Sequence, residues 1–397
     1  MRKNIFIACL VLLMQAVLCA QDLTAVREFK QLWKYDEATA LLSDMIREQG
    51  PQPALLEELA DCHYQSGNTA GALELYTQLS GLLPDKLLYK LRLMSLLYRG
   101  RQYEPVISLG HDVLQRDSIT QILSLVGDAF NQLERRDSAE WYYRRALSRR
   151  AHNEPVLNRL CGILLGREQF DEVLSLTSAF LSEEPDNLTI LPVRGLAHFS
   201  KGHFQEAEED FSRMNKLGED GYAVHYYLGQ CAQHFGRTWA AEQEFELAWQ
   251  RDSTDIGLAI TIGKLLGDLF KPGWEDWYDK ALERLRPDPK VLANTAIAHQ
   301  NYALTAYKSG RWDLCIEQYN KMLEYSPKHY SAYYMIAQCY EYKRDYKTAL
   351  AWFKKAQTAF APGSRGRAIA DGGVERMTAE LFFRSDPAGQ PQPPAQE

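Results

Sequence analysis

The chain has 397 residues, of which 46% are hydrophobic and 24% charged, so it is globular rather than disordered and long enough for a large core or an array. Its formal net charge is −7 at pH 7, without a long basic run. Nucleic-acid binding draws much of its affinity from phosphate neutralisation, and docking on an anionic membrane surface needs clustered Lys and Arg. The composition argues against both functions.

Residues 1–20 have the features of a secretory signal peptide. Two basic residues are followed by the apolar run Ile5–Val17 and by the small-residue end Leu18-Cys19-Ala20. The apolar run is too short for a membrane span, and the Ala-Gln junction resembles signal peptides common in Bacteroidetes. Because Leu18 rather than a small residue precedes Cys19, we predict cleavage near Ala20 and not a lipoprotein. We expect a protein secreted across the inner membrane into the periplasm, without a transmembrane span in the mature chain.

The rest of the chain repeats itself with a period of 34 residues, most clearly near the C-terminal end. One copy contains Ala303, Trp312, Tyr319 and Met322, and the next contains Ala337, Tyr346, Phe353 and Ala356. Apolar residues three and four apart, on both sides of a Gly or polar break, indicate two amphipathic helices joined by a tight turn. Small residues let the two helices approach closely, and the aromatic rings fill the space beside them.

This pattern resembles the tetratricopeptide repeat (TPR) and covers residues 22–363. The resemblance implies an all-α fold, a right-handed TPR solenoid of about ten helix-turn-helix units. An abbreviated unit at 22–52 is followed by units at 53–86, 87–119, 120–153, 154–187, 188–221, 222–255, 256–288, 296–329 and 330–363. Lys271-Pro272-Gly273-Trp274 disturbs the eighth unit. We therefore divide the array into units 1 to 8 (21–288) and units 9 and 10 (289–363). The sequence leaves open whether the array bends at 270–295.

The C-terminal segment after the array differs from the repeats. Val374–Phe383 can form one amphipathic helix, so we predict a capping helix within 364–385 that closes the open end of the solenoid. The tail, residues 386–397, is rich in Pro and Gln, and we predict that it is disordered.

Five cysteines follow residue 20, at helix-interior positions where small residues pack: Cys62, Cys161, Cys231, Cys315 and Cys339. We interpret them as buried thiols. An odd number leaves at least one thiol unpaired in an oxidising compartment. Cys315 and Cys339 lie in neighbouring units, and the sequence leaves open whether they pair.

Catalytic motifs are absent from the sequence. It contains no HExxH, CxxC, Gly-rich phosphate loop or GxSxG pattern, and its histidines are not spaced as metal ligands. We therefore predict a protein that is not an enzyme and has no catalytic, cofactor-binding or metal-binding residues.

The resemblance implies that the first helices of successive units line a concave groove. At the N-terminal end the groove positions, among them Leu91, Leu125 and Asp128, are acidic or neutral, and the Lys and Asn of the carboxylate clamp are missing. At the C-terminal end they carry tyrosines and side-chain amides: Tyr226, Tyr227, Gln230, Gln300, Asn301, Tyr307, Tyr334, Gln338 and Tyr342. Such residues suit an extended ligand, because rings give contact area and amides pair with backbone groups. In an alternative interpretation these rings only pack between helices.

These observations predict a non-catalytic scaffold or adaptor that binds a protein or peptide of the cell envelope in its concave groove. An alternative is an envelope glycan-binding or cell-wall-associated factor, because Tyr, Asn and Gln can also contact sugars. Three short Asp-Ser segments resemble the acceptor that Bacteroidetes use for periplasmic O-glycosylation. They place the candidate sites at Ser118, Ser138 and Ser253.

Overall fold

The computed structural model describes residues 23–115, 119–285 and 292–385, and in these ranges the only regular elements are α-helices. The predicted signal peptide, the predicted disordered tail and Ser118 lie outside the described residues. The chain divides into two compact units between Pro185 and Asp186.

The N-terminal unit contains ten helices. They are α1 (23–31), α2 (Tyr35–Gln49), α3 (Pro53–Ser66), α4 (Thr69–Leu82), α5 (Leu87–Arg99), α6 (Tyr103–Leu114), α7 (Thr120–Gln132), α8 (Arg136–Arg149), α9 (Glu154–Gly166) and α10 (Phe170–Glu183) in the described part of that unit. From α2 to α10, each helix packs against the next along the chain.

The C-terminal unit continues the pattern over its described residues. Its helices are α11 (Leu191–Ser200), α12 (Phe204–Lys216), α13 (Tyr222–His234), α14 (Thr238–Arg251), α15 (Ile256–Asp268), α16 (Trp274–Arg284), α17 (Leu292–Lys308), α18 (Trp312–Tyr325), α19 (Ser331–Tyr342), α20 (Tyr346–Ala359) and α21 (Arg365–Ser385). Its core runs from Ala232 on α13 to Cys339 on α19. Residues 286–291 are not described, but α15 and α16 both pack against α17. The predicted all-α solenoid of helix pairs is confirmed.

A left-handed residue between the two helices of each pair sets the repeat. Positive φ recurs at Trp33, Gly67, Arg101, Glu134, Glu168, Gly202, Gly236, Phe270, Gly310 and Arg344. At nine of these turns the next backbone N–H donates to the carbonyl five residues earlier, as Arg311 does to Ala306 at 2.8 Å. This bond closes the first helix and starts the second. The sequence analysis expected a tight turn at a Gly or polar break, but it did not predict the left-handed conformation of the six larger residues.

Glycines within the first helices allow the two helices of a pair to approach. A Cβ added to Gly229 would lie 2.5 Å from the Phe245 ring, and one added to Gly127 would lie 2.7 Å from the Tyr143 ring. Both rings are fully buried. The close approach expected from the sequence is therefore present in both units.

Basic residues at the start of several second helices contact the preceding second helix. Arg135 donates to Glu104 at 2.6 Å, and Arg237 donates to Glu208 at 2.6 Å. Because these pairs are largely exposed, each adds little to stability, on the order of 0–1 kcal/mol. They link neighbouring repeats along the outer helices.

The last helix, α21, covers the end of the C-terminal unit. It extends further than the Val374–Phe383 segment that the sequence singled out. Its Met377 is buried in a core cluster with Ala337, Ala349 and Phe353, and a Cβ on Gly373 would meet the Phe353 ring at 2.3 Å. The capping helix is thus packed directly onto α19 and α20.

Candidate partner-binding surface

The nine predicted groove residues all lie on first helices of the C-terminal unit. α13 carries Tyr226, Tyr227 and Gln230; α17 carries Gln300, Asn301 and Tyr307; α19 carries Tyr334, Gln338 and Tyr342. All are half-buried except Tyr342, which is exposed. Their contacts divide them into residues that hold helices together and residues that present a surface.

The two predicted groove tyrosines of α13 pack mainly against other rings. Tyr227 stacks on Phe211 with ring centroids 4.9 Å apart and meets Phe199 at 5.0 Å, and burial raises the pKa of Tyr227. Tyr226 stacks on Tyr222 at 5.5 Å. Tyr227 therefore fills the space between two helix pairs, as the alternative interpretation of these rings expected.

At the α17–α19 contact the structure brings three predicted residues together. The Tyr307 hydroxyl donates to Gln338 Oε1 at 3.3 Å, and the Tyr307 ring meets Tyr342 edge-on at 5.9 Å. Trp312, the first residue of α18, stacks on Tyr342 at 4.6 Å with 10° between the planes. We call Tyr307, Trp312, Gln338 and Tyr342 the aromatic–amide cluster.

The cluster is ordered on its inner side and open on its outer side. Burial, and after it a hydrogen bond with Tyr342, raises the pKa of Tyr307. Tyr342 is 56% exposed although its ring is fixed against Trp312. A fixed and exposed ring can bind a ligand with little loss of side-chain entropy.

Three further predicted residues are not part of the cluster. The Gln300 amide lies 3.5 Å from His329 Nε2, and Asn301 donates to the Ile297 carbonyl of its own helix at 2.9 Å. Tyr334 packs on Phe353 at 6.0 Å, beside the core cluster that holds Met377 of the capping helix. Gln300 and Tyr334 thus contact neighbouring elements, whereas Asn301 bonds within its own helix.

Sequence reasoning treated Trp312 only as a repeat position and missed its place in the cluster. A sequence pattern could have identified it: an aromatic residue two positions after a turn glycine, together with an aromatic residue at the end of the first helix of the next repeat. The same stack occurs between Phe204 and His234, whose centroids are 3.8 Å apart. Tyr342 exposes a larger ring at this position.

The N-terminal unit has a different surface at its first helices. A cavity of about 690 Å³ is lined by residues of α5, α7 and α9, among them Leu91, Leu125, Asp128 and Arg159. Arg159 Nε lies 3.1 Å from Asp128 Oδ1, and the Tyr143 hydroxyl donates to the same carboxylate at 2.7 Å. Burial raises the pKa of Asp128, although the Tyr143 hydrogen bond and the charge of Arg159 oppose that rise. The sequence identified Leu91, Leu125 and Asp128 as groove positions but missed Arg159.

Two of the three candidate glycosylation serines are described. Ser253 is exposed in the turn between α14 and α15, where Asp252 Oδ1 accepts from the Thr254 backbone N–H at 2.8 Å. Ser138 is half-buried in the first turn of α8. Ser253 is the more accessible acceptor of the two.

The described part of the chain contains no group of three or more His, Cys, Asp or Glu side chains that could hold a metal ion. Within the same ranges, no helix has both the length and the apolar character needed to cross a membrane.

A family model of the tetratricopeptide repeat matches residues 23–85, 193–256 and 303–364. These segments coincide with helix pairs of both compact units. The chain carries tetratricopeptide repeats. TPR proteins generally mediate protein–protein interaction, act as scaffolds and are non-catalytic, so these repeats indicate protein partners.

Solved TPR structures resemble this chain. The C-terminal part of a TPR repeat-containing protein from Cytophaga hutchinsonii is 18% identical, with a TM-score of 0.45, and the match covers 59% of this chain and 96% of that one. A TPR protein from Parabacteroides merdae is 16% identical, with a TM-score of 0.39 and coverage of 70% and 98%. Among curated proteins, the tetratricopeptide repeat and J domain-containing co-chaperone DNJ1 of Cryptococcus neoformans is 26% identical over 136 residues. That match covers 32% of this chain and 26% of the length of DNJ1.

Proposed function

We propose that the protein is a secreted, non-catalytic TPR scaffold that binds an extended segment of a protein or peptide at the aromatic–amide cluster. The observation that carries this proposal is the exposed Tyr342 ring, fixed on Trp312 beside the Gln338 amide. An extended peptide offers apolar side chains for the ring and backbone groups for the amide.

The contacts within the cluster explain why this surface is prepared for a ligand. Tyr307 contacts both Gln338 and Tyr342, so one half-buried residue holds the other two in place, and of these Tyr342 is exposed. The inner contacts are made before any ligand arrives, which lowers the entropy cost of binding. By contrast, Tyr227 and Tyr334 already pack against rings of neighbouring helices.

The proposed location is the periplasm, and the proposed partner is a protein or peptide of the cell envelope. This part of the proposal rests on residues 1–20, with their basic start, apolar run and small-residue end. N-terminal sequencing of the protein from a periplasmic fraction of its source cells tests it, with Gln21 as the expected first residue. An N-terminus that still contains the apolar run, found in a cytoplasmic fraction, would contradict it.

Binding is tested with a defined ligand. Random peptides displayed on phage are selected on the wild-type protein, and one selected peptide is measured by fluorescence anisotropy. The double substitution Tyr342→Ala and Gln338→Ala is expected to weaken its affinity at least about tenfold, a loss of about 1.4 kcal/mol. Trp239→Ala is the matched control, because Trp239 is 67% exposed on α14, outside the cluster.

Unchanged affinity in the folded double variant would contradict the proposed site. Loss of binding in Arg159→Ala instead would move the site to the cavity of the N-terminal unit. Soluble peptidoglycan fragments are measured in the same assay, because an exposed ring can also stack on a sugar. Glycan binding that depends on Tyr342, with no peptide selected, would favour the cell-wall alternative.

The proposal includes O-glycosylation in the Asp-Ser segments, foremost at Ser253, whose side chain is exposed in a turn. The mature protein from its source cells is expected to be heavier than the bare polypeptide, and Ser253→Ala should remove part of that mass. An intact mass equal to that of the unmodified chain would contradict the modification.

A further inference from the structure

Two cysteines of the C-terminal unit lie in direct contact. Cys315 on α18 and Cys339 on α19 have their Sγ atoms 3.2 Å apart, and both residues are fully buried. The other described cysteines, Cys62, Cys161 and Cys231, lie on separate helices, α3, α9 and α13. Among the five cysteines that the structure describes, only Cys315 and Cys339 are therefore placed on adjacent helices with their sulfur atoms facing each other.

We infer that Cys315 and Cys339 form a disulfide that joins α18 to α19. The sulfur atoms are roughly 1.2 Å further apart than in the covalent bond, which is about 2.05 Å long. Small rotations of both side chains can close this gap, because the two helices already pack against each other. The bond would connect the second helix of the ninth unit to the first helix of the tenth.

The oxidant is a second disulfide, such as that of a thiol–disulfide oxidoreductase or of oxidised glutathione. One cysteine thiolate attacks a sulfur of the oxidant, forms a mixed disulfide and releases the first oxidant thiolate. The second cysteine thiolate then attacks the protein sulfur of that mixed disulfide and releases the second. The two cysteines lose two electrons and two protons, which the two released thiols carry away.

Burial determines when this reaction can occur. Neither sulfur is accessible to a large oxidant in the folded unit. In addition, the hydrogen bond with Cys339, followed by burial, raises the pKa of Cys315, which leaves little thiolate once the helices are packed. The disulfide is therefore formed during folding, before α18 and α19 close over it.

The test is peptide mapping of the full chain. The protein is refolded in a buffer of reduced and oxidised glutathione, denatured, treated with iodoacetamide and digested for mass spectrometry. We expect one cross-linked species that contains Cys315 and Cys339 and is lighter than the two reduced peptides by two hydrogen atoms. The peptides with Cys62, Cys161 and Cys231 should be alkylated. Alkylation of Cys315 and Cys339 to the same extent as Cys231, or a glutathione adduct without the cross-link, would overturn the inference.

Two variants control the result. Cys315→Ser should abolish the cross-link and leave Cys339 alkylated, whereas Cys231→Ser, a buried cysteine of the same unit, should leave the cross-link unchanged. The cross-linked protein is expected to melt at a higher temperature than the reduced protein, and Cys315→Ser should remove this difference. Peptide mapping and melting temperature can also be measured on protein exported to an oxidising bacterial periplasm. The cross-link and the higher melting temperature are then expected without refolding.

Discussion

The two compact units use the same repeat positions to join neighbouring first helices, but with different side chains. Counted from the left-handed turn residues, Tyr98, Tyr103, Asp128 and Gln132 of the N-terminal unit correspond to Tyr307, Trp312, Gln338 and Tyr342 of the C-terminal unit. Even the inner ring contact is alike: the centroids are 5.4 Å apart for Tyr98 and Tyr103, and 5.4 Å apart for Tyr307 and Trp312.

The last two of these positions differ in chemistry: they hold Asp128 and Gln132 in the N-terminal unit and Gln338 and Tyr342 in the C-terminal unit. In the N-terminal unit, Asp128 is engaged by Tyr143 and Arg159 beside a cavity, and Gln132 offers no ring. In the C-terminal unit, Gln338 accepts from Tyr307, and Tyr342 extends the ring stack to the surface. The repeat thus sets the geometry of the contact, while two side chains decide whether it becomes a charged cavity or an aromatic surface.

The largest expected effect concerns the feature that both units share. Gly229→Leu would drive a side chain into the Phe245 ring, which lies 2.5 Å from the added Cβ, and should cost about 1–3 kcal/mol or more. Gly127→Leu should do the same in the N-terminal unit, against the Tyr143 ring. Gly162→Ala is the control, since a Cβ there has no atom within 4 Å and should stabilise α9 by about 0.5–1 kcal/mol. A wild-type melting temperature for Gly229→Leu would refute the helix contact described here.

The second prediction compares Asp128 of the N-terminal unit with Gln338, its counterpart in the C-terminal unit. Arg159→Ala leaves the Asp128 carboxylate, whose side chain is only 12% exposed, with one fewer partner, and should cost about 1–3 kcal/mol in urea unfolding. Gln338→Ala removes only a neutral acceptor, at 3.3 Å from the Tyr307 hydroxyl, and should cost less, about 0.5–1 kcal/mol. Adding Asp128→Asn should recover part of the loss of Arg159→Ala. Equal costs for Arg159→Ala and Gln338→Ala would remove the distinction between the units.

The third prediction concerns alkaline pH and applies to both units. Burial raises the pKa of Tyr76 and of Tyr278 from 10.0 to about 12. A raised pKa means that the unfolded chain loses the phenol proton first. The stability from each group is therefore fully present below pH 10 and is lost as the pH rises from 10 through 12. Tyr76→Phe and Tyr278→Phe should each flatten the fall of the melting temperature across this window. An unchanged slope in both variants would contradict the burial of these hydroxyls.

The smallest expected effects come from the turns. The N-terminal unit places Glu134 in the left-handed conformation where the C-terminal unit places Gly310. Glu134→Gly should stabilise by a few tenths to about 1 kcal/mol, because relief of the strained backbone is partly offset by entropy of the unfolded chain. Gly310→Ala should destabilise by about 1 kcal/mol. If differential scanning calorimetry shows that Glu134→Gly lowers stability and Gly310→Ala raises it, these turns are not left-handed.

Much of the fold could be predicted from the sequence, because the repeat is encoded locally. The contact between Gly229 and Phe245 follows from a fixed spacing within one helix pair, and so does the turn at Gly310. The left-handed backbone at Trp33 and Phe270 could not be predicted, because the packed helices impose it on residues that avoid it in isolation.

The candidate surface was harder to predict than the fold. Spacing places Tyr334 and Tyr342 on the same helix, but it does not give the direction in which each side chain leaves that helix. Tyr334 packs on Phe353, whereas Tyr342 reaches solvent beside Trp312. Likewise, the Asp128–Arg159 pair joins two neighbouring repeats of the N-terminal unit. Its formation depends on how closely their first helices, α7 and α9, approach each other.

Hydrogen–deuterium exchange of the full chain, with and without a selected peptide, tests the central claim most directly. The account predicts that the peptide slows exchange in the last turns of α17 and α19, around Tyr307 and Tyr342, and leaves α7 and α9 unchanged. Protection confined to α7 and α9, or protection in α17 and α19 that persists in the Tyr342→Ala, Gln338→Ala variant, would contradict it.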